Sequence, residues 1–329
     1  MNLPKIALSL GDPAGIGPEI ALKAALDARV QQICTPVLVG DAGALEWHAK
    51  ASHINVEIHR IADAREPAIA EPGRVTLLAL DQFRDEPLKI GEITAANGRA
   101  AVEAARIAIE AANTGAVAGV VACPQTEYAI KAAGIEFDGY PSFVARCLGM
   151  SVDDSFLMLC FDATRIVHTT LHISLSEAIK RITKERVMRV IEAADKVLST
   201  HGKKVRIAVS GLNPHAGENG MFGSEETTII GPAIEAARSQ GIDVDGPFGA
   251  DTMFLKQGYD AFVVMYHDQG HLAAKLLATN RTAGMTIGTP ILFSSVAHGS
   301  ALDIAGKNSA RPDAVVEAIH RVVHAMPAN

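Results

Sequence analysis

Short apolar runs alternate with amphipathic stretches of helical spacing along the whole chain, and this alternation limits the possible folds more than any other feature. KIALSL (5–10), PVLVG (36–40), VTLLAL (75–80), GVVAC (119–123), SFLMLCF (155–161), RIVHTT (165–170), VRIAVS (205–210) and AFVVMY (261–266) read as strands. Several are apolar on both faces, and only a sheet covered by helices on both sides buries such strands. Between them lie helical patterns at 98–115, stopped by Gly115, and at 183–202, opened by Thr183 as N-cap and closed by Gly202. A third, 311–326, has Pro312 in its first turn. The order predicts an α/β fold with a mostly parallel, helix-covered sheet. A chain of 329 residues exceeds one minimal core, so two domains or one large α/β domain are expected. No repeat, low-complexity tract or Gly/Ser linker divides it, so a second domain is expected as an insertion in the first.

Composition removes several function classes. Hydrophobic residues make up 48% and charged residues 20%, which excludes a disordered chain. The net charge is −7 and no basic arm or stripe exists, which argues against nucleic acid as a partner. Cys34, Cys123, Cys147 and Cys160 are scattered without a CxxC pair, so neither a zinc ribbon nor a disulfide framework is expected. Cys123 and Cys160 sit in apolar runs and read as buried thiols. MNLPKIALSL turns into strand pattern at once, and no apolar run is long enough to span a bilayer, so a cytoplasmic protein is expected.

In open α/β sheets ligands bind at the carboxyl ends of strands, so polar residues just past each strand are the candidates. GDPAGIGPEI (11–20) reads as a strand–turn–helix with close backbone approach. It lacks the third glycine of a dinucleotide fingerprint. His172, His215 and His267 each stand just past a strand. Three neutral imidazoles suit a divalent transition metal with positions left open for substrate, although each alone reads equally as a loop histidine. His168 lies inside its strand and reads as packed. His271 reads as a residue opening the next helix, or as a partner to the site. Asp12, Asp251 and Asp268 are the carboxylates that could orient a ligand or shuttle a proton. Asp251 equally suits a turn cap. Lys275 is an anion anchor or a solvated helix lysine. In SSVAHGSALDIAGKNSARPDA (294–314), small residues let a backbone approach a flat ligand. Asp303 there suits ribose hydroxyls and would repel a 2′-phosphate, favouring NAD over NADP. The alternative is a plain loop leading into a helix.

GDPAGIGPE and HGSALDIAGK resemble stretches of isocitrate and isopropylmalate dehydrogenases. More closely, GDPAGIGPEI, GLNPHAGENG, ADTMF, YHDQGH and HGSALDIAG, in this order, resemble the 4-hydroxythreonine-4-phosphate dehydrogenase (PdxA) family from residue 6 to about residue 320. The resemblance implies an isocitrate/isopropylmalate dehydrogenase-like fold of two α/β domains with the active-site cleft between them. Residues 1–135 with 295–329 would form the NAD-binding side. Residues 136–294 would form an inserted domain carrying the metal ligands and a dimer interface. It implies a divalent metal, zinc before magnesium, manganese or cobalt, on His172, His215 and His267. In a homodimer His267 would reach the partner subunit's site. Lys275 takes the place of the substrate lysine, and NAD would lie on His298, Gly299, Ser300, Ala301, Asp303 and Gly306.

The departures from the family pattern are informative. Where phosphate-using members carry a His-Thr pair after a glycine, this chain has Gly139-Tyr140-Pro141-Ser142. An asparagine falls on Gly284 and an arginine on Phe293. A phosphate dianion buried without those groups would lose several kcal/mol. The substrate pocket is therefore expected at Tyr140, Ser142, Lys275, Phe293 and Ser294, with Phe293 as an apolar face and Lys275 for one carboxylate. These changes resemble the branch that acts on cis-dihydrodiol carboxylates, such as terephthalate dihydrodiol dehydrogenase. That branch implies metal- and NAD-dependent oxidation with decarboxylation to a catechol, with Asp251 near the metal. One alternative is 4-hydroxythreonine-4-phosphate dehydrogenase of pyridoxal phosphate biosynthesis, or a 4-phosphothreonate dehydrogenase. Either would need Asn280, Arg281, Ser294 or Ser295 to replace the lost phosphate contacts. A non-catalytic metal- or nucleotide-binding protein is the remaining alternative.

Overall fold

The computed structural model describes residues 3–69, 71–84, 87–278 and 282–327. In chain order the strands are β1 (Lys5–Ser9), β2 (Thr35–Asp41), β3 (Glu57–Ile61), β4 (Arg74–Leu80), β5 (Gly119–Ala122), β6 (Phe156–Phe161), β7 (Thr164–His168), β8 (Arg206–Ser210), β9 (Asp243–Phe248), β10 (Ala261–Val264), β11 (Ala283–Ile287) and β12 (Phe293–Val296). They fall into two compact units, one formed by residues up to 149 with 290–326, the other by 150–289. Among the described residues no helix is long and apolar enough to cross a membrane.

The first unit has strand order β3-β4-β2-β1-β5-β12, and every pairing in it is parallel. Central β1 places Leu8 between Leu38 of β2 and Val121 of β5, all three without solvent exposure. Each such aliphatic side chain contributes roughly 1.5–3 kcal/mol by leaving water. The second unit has order β11-β6-β7-β10-β8-β9. Its β7, β10, β8 and β9 are parallel, while β11 and β7 each run antiparallel to β6. The expected parallel sheet therefore carries one hairpin, turning at Asp162 and Ala163.

Four strands escape the hydrophobic pattern. β3 (EIHRI) is a half-exposed edge strand. β9 (DVDGPF) contains Gly and Pro, tolerated because it too lies at an edge. β11 (AGMTI) is fully buried but built of small residues, and β12 (FSSV) buries Phe293 and Ser294 but leaves Ser295 and Val296 half-buried. The expected helix 183–202 is shorter than its pattern. Thr183 does cap it, accepting from the Arg186 N–H, but it ends at Leu198, and Gly202 closes a separate 3₁₀ turn, Thr200–Gly202.

Helix Gly17–Ala25 is tied to the end of the chain by a buried carboxylate. Glu19 is fully buried, accepts from Lys23 Nζ at 2.7 Å and from the Ala310 N–H at 3.1 Å, while Lys23 also donates to the Ala310 carbonyl at 2.7 Å. The long helix Ala95–Asn113 starts from Thr94, whose Oγ1 accepts from the Asn97 N–H at 3.2 Å. It packs so closely on helix Glu127–Ala132 that a Cβ on Gly98 would stand 2.2 Å from the Ala129 carbonyl oxygen. Helix propensity alone favours alanine over glycine by about 1 kcal/mol. The backbone clash reverses that sign, so Gly98→Ala is expected to lower stability by about 2 kcal/mol in denaturant unfolding. A more stable variant would show that the two helices do not touch there.

Candidate functional site

β7, β10 and β8 are adjacent parallel strands, with Phe262 of β10 opposite both Ile166 and Ala208. Their carboxyl ends open on one edge, and the segments leaving it carry His172, His267 and His215. His267 is the first residue of helix His267–Leu277, and its ring centroid lies 5.5 Å from that of His172. Its Nδ1 lies 2.6 Å from Asp268 Oδ1. An imidazole that donates Nδ1–H to a carboxylate keeps its Nε2 lone pair for a metal. Zn–N bonds of about 2.0–2.1 Å suit two rings at this spacing. These donors fit a divalent transition ion. His215 is exposed on its own turn, edge-on to Phe222 at 5.9 Å, with Nδ1 3.3 Å from Glu218 Oε2. Among the described residues no group of three His, Cys, Asp or Glu side chains is gathered closely enough to hold a metal ion. Within one chain the structure thus pairs His172 with His267 and leaves His215 apart.

His168 is packed, at 1% exposure, with its ring 4.7 Å from that of His271. His271 needs correcting as a mere helix opener: it stacks flat on His267 at 3.8 Å and 6°. Burial, reinforced by neighbouring rings, pushes His168 down to about 3 and His271 down to about 4, so both are neutral at neutral pH. Gly270 permits this packing, since a Cβ there would meet His168 Nε2 at 2.4 Å.

The turn bearing His215 is unusual backbone. His215, Ala216, Gly217, Glu218 and Asn219 have φ of 52°, 53°, 79°, 41° and 56°, a continuous left-handed run. Each non-glycine residue there costs roughly 1–2 kcal/mol. Glu226, 4% exposed, lies behind the turn. Its Oε1 accepts from the N–H groups of Leu212 at 2.8 Å and Asn213 at 2.7 Å, and its Oε2 from Asn213 Nδ2 at 3.0 Å. Burial would raise this carboxyl, but the Asn213 and Leu212 donors outweigh it and hold it below the usual range. Asp251 is exposed in the first turn of the short helix Ala250–Met253, where Gly249 occupies the cap position, so it does not take the turn-capping role. A Cβ on Gly249 would stand 2.8 Å from Asp251 Oδ1 and 3.8 Å from His215 Cα, so both flank this glycine. Lys275 is exposed on helix His267–Leu277, two turns beyond His267.

In the first unit, β1, β5 and β12 are likewise adjacent and parallel, and their ends meet around Ser300. The Ile16 N–H donates to the Ser300 carbonyl at 2.8 Å, and Thr126 Oγ1 to Ser300 Oγ at 3.0 Å. Ser300, 5% exposed, is thereby an anchor of this loop. Asp12 is fully buried and accepts from the Ala14 N–H at 2.9 Å; burial raises its carboxyl. Beside the anchor, Gly299 faces open space, and His298 Nδ1 lies 3.2 Å from the Gly299 carbonyl. Ala301 adopts a left-handed φ of 41°, and Asp303 is exposed. Gly306, at φ 72°, packs on Trp47, whose ring a Cβ there would meet at 2.6 Å. Uncovered backbone of small residues with an exposed carboxylate fits a nucleotide that offers ribose hydroxyls.

Tyr140 begins helix Tyr140–Cys147 and is half-buried among aromatic rings, with Phe293 at 4.9 Å and Phe137 edge-on at 5.5 Å. Phe293 and Ser294, expected at a pocket surface, are both fully buried in the first unit. Phe293 fills the core with Val120 and Val144, so any apolar face it offers is presented through Tyr140. Ser142 is half-buried one turn on and hydrogen-bonds Asp138. The Tyr140 hydroxyl is enclosed without a hydrogen-bond partner among the described residues, and burial raises its phenol.

Two participants, Trp47 and Glu226, were missed from sequence, and His271 was left between helix opener and partner to the site. His271 had a signal, since it lies four residues after His267 on the same helix face. Trp47 and Glu226 had none, because their contacts span 259 and 13 positions of chain.

The fold is that of an α/β dehydrogenase. The chain belongs to the PdxA family: the model described as pyridoxal phosphate biosynthetic protein PdxA matches residues 32–322. A 1,2-dihydroxy-3,5-cyclohexadiene-1,4-dicarboxylate dehydrogenase from a Comamonas species is 40% identical over 316 residues, 96% of each chain. The structure of a terephthalate 1,2-cis-dihydrodiol dehydrogenase from Burkholderia xenovorans is 38% identical with TM-score 0.71 over 98% of each chain. That of a 4-hydroxythreonine-4-phosphate dehydrogenase from Klebsiella pneumoniae is 34% identical with TM-score 0.86, over 98% of this chain and 99% of that one. The expected α/β fold and the family are both found, and the chain is an oxidoreductase of the dehydrogenase class.

An enclosed hydroxyl without a partner costs about 1–3 kcal/mol. Tyr140→Phe is therefore expected to raise stability in denaturant unfolding by about 1 kcal/mol. A destabilised variant would reveal a hydrogen bond to that oxygen.

Proposed function

We propose that this chain oxidises a cis-dihydrodiol carboxylate with NAD and a divalent metal, zinc first, and releases CO2 to leave a catechol. Tyr140 is the observation that carries the reading. Where phosphate-using relatives are expected to carry charge and donors, this chain presents an aromatic ring backed by Phe293 and Phe137. A flat cyclohexadiene acid suits that face, and a phosphate dianion does not. The 40% identity to a dihydroxycyclohexadiene dicarboxylate dehydrogenase supports the same choice.

When bound, the metal supplies Lewis-acid polarisation of a substrate oxygen, and NAD supplies the hydride acceptor. His172, His215 and His267 would hold the ion, and Asp268 would fix the His267 tautomer. Lys275 pairs with a substrate carboxylate, and Asp251, flanking the His215 turn, is placed to hold a proton. The 298–306 loop holds NAD, with Asp303 accepting from the ribose. Loss of CO2 from a carboxylate β to the new ketone leaves a ring whose aromatisation drives the step. The working form is a homodimer. Helix His267–Leu277 exposes Leu272, Leu276 and Leu277 at 62%, 85% and 58%, an apolar face that a second copy would cover. Burial of those leucines would bring His267 to the boundary with the partner subunit.

A phosphorylated hydroxythreonine or threonate is the second reading, favoured by the TM-score of 0.86 to the Klebsiella enzyme. Of its substitute phosphate contacts, Asn280 and Arg281 lie outside the described residues, Ser294 is fully buried and Ser295 half-buried.

NADH formation, followed by absorbance with CO2 release, separates the readings: turnover of a dihydrodiol dicarboxylate is expected, and turnover of phosphothreonine derivatives alone would replace the first with the second. Chelator treatment or His267→Ala should remove at least 99% of that turnover, about 2.7 kcal/mol, with circular dichroism unchanged; full activity in the variant overturns the assignment. The chain holds one tryptophan, and it packs on Gly306, so energy transfer from Trp47 to NADH reports nucleotide on this loop. Unchanged Trp47 emission with NADH bound would place the nucleotide elsewhere.

A further inference from the structure

We propose that Glu226 is a positioning residue for metal binding: it sets the His215 imidazole by holding the left-handed turn that carries it, without touching the ion. The inference rests on the metal reading above. Two successive backbone N–H groups, from Leu212 and Asn213, converge on one oxygen of Glu226 at 2.8 and 2.7 Å. Such a nest binds an anion, and here the chain supplies its own. The other oxygen takes Asn213 Nδ2 at 3.0 Å, and the same amide reaches Glu225 at 2.7 Å. Asn213 is the residue from which the left-handed run departs, and its carbonyl accepts from the Ala216 N–H at 3.1 Å. The carboxylate also lies against the run itself, since a Cβ on Gly217 would stand 2.7 Å from Glu226 Oε2. The approach to the turn and its middle, on either side of His215, thus register on one buried side chain.

A left-handed run costs its non-glycine residues conformational energy, so its geometry depends on such side contacts. Glutamine in place of Glu226 keeps the shape but exchanges one acceptor for a donor that faces Asn213 Nδ2. The turn then loses its register, and His215 loses its aim. Residues that orient a ligand typically change metal affinity ten- to a hundredfold.

Cobalt binding by the full chain, read by calorimetry and by the visible ligand-field spectrum, tests this. Glu226→Gln should bind cobalt at least tenfold more weakly with an altered spectrum, in a variant whose circular dichroism remains that of the folded chain. In a His215→Ala background the same substitution should have no further effect, because its action runs through that ring. If Glu226→Gln does not fold, Gly217→Ala perturbs the same contact from the turn side and should weaken cobalt likewise. Unchanged affinity and spectrum in the folded variant, or equal losses with and without His215, overturn the role of Glu226 alone. A wild-type chain that binds no cobalt, zinc or manganese overturns the metal reading itself.

Discussion

A parallel strand cannot be followed directly by its neighbour; the chain must first cross back over the sheet. This constraint organises both units. Wherever parallel strands lie side by side, their carboxyl ends form a row of departing loops, and the three candidate histidines and Ser300 stand just beyond them. In the second unit the row is β7, β10 and β8, with His172, His267 and His215 just beyond. In the first it is β1, β5 and β12, whose loops are joined through Ser300. The chemistry of each unit is thus placed by sheet direction before any side chain is chosen.

Buried carboxylates anchor the loops so placed. Glu19 joins the first helix to the segment at Ala310, just after the 298–306 loop. Glu226 does the same for the approach to His215. Each sits where a charge would be costly were it not met by several donors. The positions that look most irregular are therefore among the most firmly specified.

Much of this was legible in the chain because hydrophobic periodicity reports strands buried on both faces, and residues after a strand end report the loops. Thr183 capped its helix, and His168 proved to be a packed histidine. What escaped depended on contacts across the chain. β12 buries a serine beside Phe293 and leaves its last two residues half-buried, so nothing in FSSV looks like a buried strand. Phe293 itself, in place of an arginine, suggested an open apolar wall. In the fold it is core, and only Tyr140 in front of it keeps exposed surface. Spacing revealed that three histidines leave one edge but not that His267 and His172 would lie side by side while His215 rides a left-handed turn.

The antiparallel hairpin in the second unit reverses this logic locally. Because β6 runs against β7, the turn at Asp162 and Ala163 emerges on the edge opposite to the histidine loops. Asp162 already adopts a left-handed φ of 42° there. This turn is a place where the chain can lengthen, in evolution or by engineered insertion, with the sheet itself standing between the added residues and the histidine-bearing loops.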